Sequence, residues 1–226
     1  MNNMEFEQYL CETSMLEVAS ESSNNLIQFV DTSLSLREQA VQLYYKVRDM
    51  FIYDPYHLDL RSENLKSSVI MKKKRAWCVE KSIVLATGFR ALGIPSKLGY
   101  GIVVNHIGVE KLTKYLKRKE IVFHGYVSAF IDGKWVKTTP AFDRRICRLL
   151  NVKPLEWDGK NDALLQAYQG ENEFMEYKHF YGEFEDVPVQ LMNDEMQKYY
   201  PHLFEKEYKT KEFSFFHIER NNTENN

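Results

Sequence analysis

The chain has 226 residues, of which 44% are apolar and 27% charged, with a formal net charge of −2. That length accommodates one domain with a sizeable core, and the near-neutral balance excludes a global electrostatic pull toward nucleic acid or anionic membranes. Three cysteines, Cys11, Cys78 and Cys147, are too few and too odd in number for a disulfide framework. The opening "MNNMEFEQYLCETSMLEVAS" has no basic start and no apolar run of signal-peptide length. No window approaches the roughly 18 consecutive apolar residues that a membrane span needs. A cytoplasmic protein without membrane attachment is the expectation. Neither a paired Cys/His zinc pattern nor HExxH occurs, so no metal and no cofactor are expected.

Residues 1 to 30 are mixed and polar, and "ASESSNN" reads as a loop. Ser35 and Glu38 then have capping-box spacing, and Leu36, Ala40, Leu43, Val47 and Met50 recur at helical steps. Asp54-Pro55 is the expected stop. Residues 56 to 76 read as a loop with a short helix and the basic run Lys72 to Arg75. From Cys78 to Leu92 the helical period returns, with Cys78, Ser82, Leu85, Phe89 and Leu92 on one face. Gly93 and Pro95 end it. "KLGYGIVVN" reads as a strand, and "VEKLTKYLKRKE" as a short basic helix or an inserted loop.

"IVFHGYVSAFIDGKWVKTTP" is the clearest hairpin, since two strand-like runs flank Asp132-Gly133, a favoured two-residue turn. That turn fixes the register, with Phe130 opposite Trp135 and Tyr126 opposite Thr139. Strand alternation puts His124, Tyr126, Phe130, Trp135 and Thr139 on one face. From Cys147 onward "PLEWDGKNDALL" and "YGEFEDVP" read as loops with helical pieces between them, and "IERNNTENN" as a frayed tail.

Cys78 follows Trp77 at the start of a predicted helix. There the helix dipole and free backbone N–H groups favour a thiolate. A histidine from an adjacent strand, His124, could serve as general base and acid, and a third polar group would orient its ring. The Cys78 N–H could contribute to an oxyanion hole. Periodicity alone favours a packing role for each of the two residues.

"WCVEKSIVLATGFRALGIPSKLGYG" followed by "HGYVSAFIDGKWVKTTPAFD" resembles the transglutaminase-like superfamily of papain-fold cysteine enzymes. The shared pattern is Trp-Cys, a helix ending in Arg-Ala-x-Gly-Ile-Pro, a strand, and a His that begins a hairpin closing on Trp-Val and Pro. "QAVQLYYKVRDMFIYDP" resembles the helix before the nucleophile, and "PLEWDGKNDALL" fits a bacterial branch. The resemblance implies an α+β fold in which a helix with the Cys at its N-terminus packs on an antiparallel β-sheet. It implies a single domain over 1–226, with its core at about 35–145 and an extension over 146–226.

By the same resemblance Cys78 matches the nucleophile and His124 the catalytic histidine. The third position, usually Asp-Pro, is Thr139-Pro140 here. A threonine can accept a hydrogen bond but carries no charge to stabilise an imidazolium. Asp143 is the alternative and ranks slightly above it. No Gln lies between Gln42 and Gln166 to act as an oxyanion donor, so Trp77 and Asn64 are the candidates there. Tyr126 is a candidate substrate contact, though core packing is the commoner use of such aromatics. The cations of Lys72 to Arg75 belong to a solvated loop or sit near the thiolate. Cys11 and Cys147 are taken as structural, and His179 as a residue that could cover the cleft.

The implied function is thiol-dependent acyl transfer through a Cys78 thioester, with hydrolysis of a peptide or small amide ahead of transfer to an amine. The competing reading is a non-catalytic binding module with a degraded triad. A de-glycosylating amidase would need zinc-binding Cys pairs, and nucleic-acid binding through the basic stretches lacks a motif.

Overall fold

The computed structural model describes residues 6–56, 58–105, 110–165 and 175–204. The predicted tail lies outside them. Ser20 caps a helix, α1 (Glu21–Ile27), by accepting from Ser23 N–H, so most of the expected "ASESSNN" loop is helical. α2 (Leu36–Met50) begins with the predicted box: the Ser35 side chain accepts from Glu38 N–H, and the Glu38 carboxylate accepts from Ser35 N–H at 3.0 Å. It ends before Asp54-Pro55 because Ile52–Tyr53 (β1) leave it to pair in parallel with Arg75–Ala76 (β2). A short helix, α3 (Ser67–Ile70), lies in the intervening loop.

The central element is α4 (Cys78–Ala91), terminated as predicted by Gly93 at φ 76. Instead of one apolar stripe, every residue from Cys78 to Arg90 is buried. The cause is tertiary: α1, α2, α3 and the strands β3 and β4 all pack against α4. Lys81 is therefore enclosed, and its Nζ donates to the Arg48 carbonyl at 2.8 Å and the Ala141 carbonyl at 2.7 Å. That ties α4 to the end of α2 and to the chain beyond the hairpin.

The main sheet is antiparallel, built from β3 (Ser96–Asn105), β4 (Glu120–Ile131), β5 (Lys134–Thr138) and β6 (Met175–Phe184) in the order β5-β4-β3-β6. This mixed helix and sheet architecture is the expected α+β class. α5 (Glu110–Leu116) joins β3 to β4, so the basic stretch there is a helix. The hairpin turns at Asp132 and Gly133 with φ 50 and 84, as a two-residue turn of this kind requires. Phe130 lies opposite Trp135, as the turn dictated. The ladder stops at Val127–Thr138, so the expected pairing of Tyr126 with Thr139 does not form. Thr139 N–H donates instead to the Ala163 carbonyl at 3.1 Å.

The expected loop "YGEFEDVP" begins as strand, since Tyr181–Phe184 are the end of β6, and the residues before it are strand and not a helical piece, hydrogen-bonded along β3. α6 (Arg144–Leu149), α7 (Val189–Tyr199) and α8 (Pro201–Phe204) complete the described chain. Near the hairpin, Phe6 stacks on Phe130 at 4.3 Å and Tyr9 meets Trp135 edge-on at 5.5 Å. No helix among the described residues is long and apolar enough to cross a membrane.

Candidate active site

The first turn of α4 is held from below. Trp77 has an extended backbone (φ −96, ψ 177) and its N–H donates to the Glu80 carboxylate at 3.2 Å. Glu80 is buried and forms an ion pair with Lys73, while Arg75 pairs with Asp54 at 3.2 Å. Two cations of the basic run are thus held on carboxylates. Cys78, the first helical residue, is buried. Burial pushes its thiol up to about 11, opposed by the N–H groups of Gly125, Val79 and Cys78 itself and reinforced by the nearby Glu80 charge. Burial also raises the Tyr53 phenol, and the adjacent Cys78 raises it further.

β4 meets this turn backbone to backbone. A Cβ at Gly125 would stand 3.1 Å from Val79 Cα and 3.2 Å from the Cys78 carbonyl oxygen, so a larger residue would push the strand and the turn apart by a few tenths of an ångström. The residue beside His124 therefore abuts the helical turn that begins with Cys78. His124 follows an irregularity: Gly101 pairs with His124 and Val103 with Ile121, so Val122 and Phe123 together oppose Ile102. Phe123 sits at φ 60, a strained conformation for a bulky residue, costing roughly 1–3 kcal/mol, of the kind concentrated at functional sites. Bulges re-aim side chains in this way. The His124 ring is buried, which lowers its pKa to about 4. Its Nδ1 lies 3.0 Å from the Tyr177 hydroxyl. His124 and Tyr126 both face Tyr177, with ring centroids 5.9 and 6.2 Å away, as strand alternation requires. The Tyr177 phenol is raised by burial and then by Cys78, so thiol, imidazole and phenol share one neighbourhood.

The remaining candidates are distributed differently. Thr139 is buried beside His124, but its hydroxyl donates to the Gly125 carbonyl at 2.9 Å. Asp143 is fully buried as the N-cap of α6, accepting from Tyr53 N–H at 2.7 Å, from Arg145 N–H at 2.9 Å and from Arg145 Nε at 2.8 Å. Among the described hydrogen bonds neither residue reaches the His124 ring. Thr139 spends its hydroxyl proton on the β4 backbone, and three of the bonds that Asp143 accepts tie β1 and α6 together. Burial raises the Asp143 carboxyl, but these hydrogen bonds and the nearby Lys81 bring it below its ordinary value.

The Trp77 indole N–H is buried without a hydrogen-bond partner among the described residues, which leaves it free to donate. Asn64 is committed, its Nδ2 donating to Asp59 at 2.7 Å. Tyr126 covers Gly99 and reaches Glu183 at 3.4 Å. His179 is exposed on β6 beside Tyr181. Cys147 is buried on α6, whereas Cys11 is exposed and contributes its carbonyl to Arg90 at 2.7 Å. Tyr177, Tyr53 and the Gly125 backbone were missed by sequence reasoning. The density of β-forming aromatics in "EYKHFYGEF" was the available signal for the strand that carries Tyr177.

Neither the curated proteins nor the solved structures gave a match. The model of the transglutaminase-like superfamily matches residues 23–140, more than half of the chain and the stretch that contains both Cys78 and His124. The chain belongs to the transglutaminase-like superfamily, which in general includes cysteine-dependent enzymes.

Proposed function

We propose that this protein is a thiol-dependent acyl-transfer enzyme that hydrolyses a peptide or small amide bond through a Cys78 thioester. The observation that carries the reading is the close approach of β4 to the Cys78 turn at Gly125, directly beside His124 in the chain. His124 takes the thiol proton as sulfur attacks the substrate carbonyl. The tetrahedral oxyanion draws on the Cys78 N–H and the unpartnered Trp77 indole N–H. The C–N bond then breaks, the proton passes from His124 to the leaving amine, and water, deprotonated by His124, releases the acid.

With the thiol at about 11 and the imidazole at about 4, the resting pair is neutral. In this reading the proton moves in step with attack, rather than from a preformed ion pair. We place it in a reducing, cytoplasmic setting, which suits a chain whose three cysteines are too few and too odd in number for a disulfide framework.

The second reading, a non-catalytic binding module, is favoured by that same neutral, enclosed pair. The two separate on a single-turnover experiment. The protein is mixed with p-nitrophenyl acetate and with a peptide p-nitroanilide, and the acyl-enzyme is sought by intact mass and peptide mapping. The enzyme reading expects a hydroxylamine-labile adduct on Cys78, absent in Cys78→Ala and at least about 100-fold slower in His124→Ala. An adduct that persists in Cys78→Ala, or none with either substrate, leaves the binding module.

A further inference from the structure

Two strand irregularities meet at one level of the sheet. On β4 the extra residue lies across from Ile102, just before His124. On β6 the pairing steps from Ile102–His179 to Val103–Tyr177, leaving Lys178 unpaired. Tyr177 and Phe180 are three residues apart, and in a regular strand they would point to opposite faces. The extra residue brings them to the same face, stacked at 4.6 Å and 13°. Between β4 and β6 stands Gly101. A Cβ there would lie 2.8 Å from the Tyr177 ring. Its absence opens a path across β3, along which the Tyr177 hydroxyl reaches His124 Nδ1.

We propose that Tyr177 is the positioning residue of His124: its hydroxyl accepts the Nδ1 proton, which fixes the ring and leaves Nε2 bare to take the proton of Cys78. The inference rests on the enzyme reading above and deepens it. The orienting group then comes from β6, outside the family match over 23–140, on the far side of His124 from Thr139 and Asp143. Those two residues are already committed to Gly125, Tyr53 and Arg145. A phenol differs from a carboxylate in a definite way. It holds orientation and tautomer without supplying the charge that would stabilise an imidazolium. The low pKa that burial gives His124 goes uncorrected by this partner, which suits a base that starts neutral.

Tyr177→Phe removes the hydroxyl and keeps the ring that stacks on Phe180. Two measurements test it. Long-range 1H–15N spectra of histidine-labelled protein, with His124 assigned through His124→Gln, read the tautomer. The acylation rate with p-nitrophenyl acetate reads the chemistry. The expected result is an Nδ1–H tautomer in the wild type, a mixed population in Tyr177→Phe, and acylation slowed at least about 10-fold. A wild-type ring protonated on Nε2 overturns the inference, as does a variant with unchanged tautomer and rate. Should the variant fail to fold, the wild-type spectrum alone still decides. If the wild type forms no acyl-enzyme, the catalytic reading falls, while the spectrum still shows whether Tyr177 holds the ring.

Discussion

The two flanks of His124 carry polar side chains to opposite effect. On the β5 side stand Thr139 and Asp143, both buried, whose oxygens bond the Gly125 carbonyl, the Tyr53 and Arg145 N–H groups and the Arg145 guanidinium. On the β6 side stands Tyr177, whose hydroxyl bonds the imidazole. The first flank is scaffold and the second is aimed at the ring. Nearness to a site does not assign a polar group to its chemistry. What assigns it is the partner its polar atoms actually reach, here the backbone and Arg145 on one flank and the imidazole on the other.

Asp143→Ala is the harshest way to break this comparison. It removes the α6 cap, orphans the Tyr53 N–H and takes away the carboxylate that most favours the charged form of buried Lys81. A loss of roughly 3–5 kcal/mol in urea unfolding is expected. Unchanged stability with lost acylation would instead make Asp143 the partner of His124.

His124→Phe probes the ring's own environment. The folded pKa is about 4, below the ordinary 6.5, so the unfolded chain binds the extra proton between these values. The wild type should therefore lose stability as pH falls from about 6.5 toward 4, by about 3 kcal/mol from this residue. The variant should lack that component, and pH-dependent unfolding curves that superimpose would refute it.

Gly101→Ala sharpens the contrast from the other flank. Its Cβ would sit 2.6 Å from the His179 carbonyl and 2.8 Å from Tyr177. A cost of about 2 kcal/mol is expected, with acylation slowed as in Tyr177→Phe because the phenol is displaced. A thermal shift without a rate effect would mean that the β6 flank, too, is only scaffold. The mildest change is Thr139→Val, which deletes one hydrogen bond to Gly125 and should cost about 1 kcal/mol by chemical denaturation. A loss several-fold larger would show that Thr139 sets the position of β4 against α4.

Much of the site was legible before the fold. The Ser35/Glu38 box, the α4 stop at Gly93 and the Asp132-Gly133 turn are local devices, each encoded by a few adjacent residues. The turn set the Phe130–Trp135 register without other information. Local reasoning failed where partners came from afar. "ASESSNN" became helical because α1 packs on α4 and α3, and polar residues in short windows carry too weak a period to announce that. β6 went unread because its two bulges break the alternation that marks a strand.

The sequence by itself determined the punctuation of the chain, including the start of a helix at Cys78 and the hairpin strand that carries His124, because caps, turns and periodicity act over a few residues. Only the tertiary structure decided which polar groups were free to serve them. Asp143 and Thr139 are bound to backbone, and Tyr177 reaches across Gly101 to His124. Hydrogen-bond satisfaction is a property of the packed molecule, set by every neighbour at once, and no stretch of sequence contains that sum.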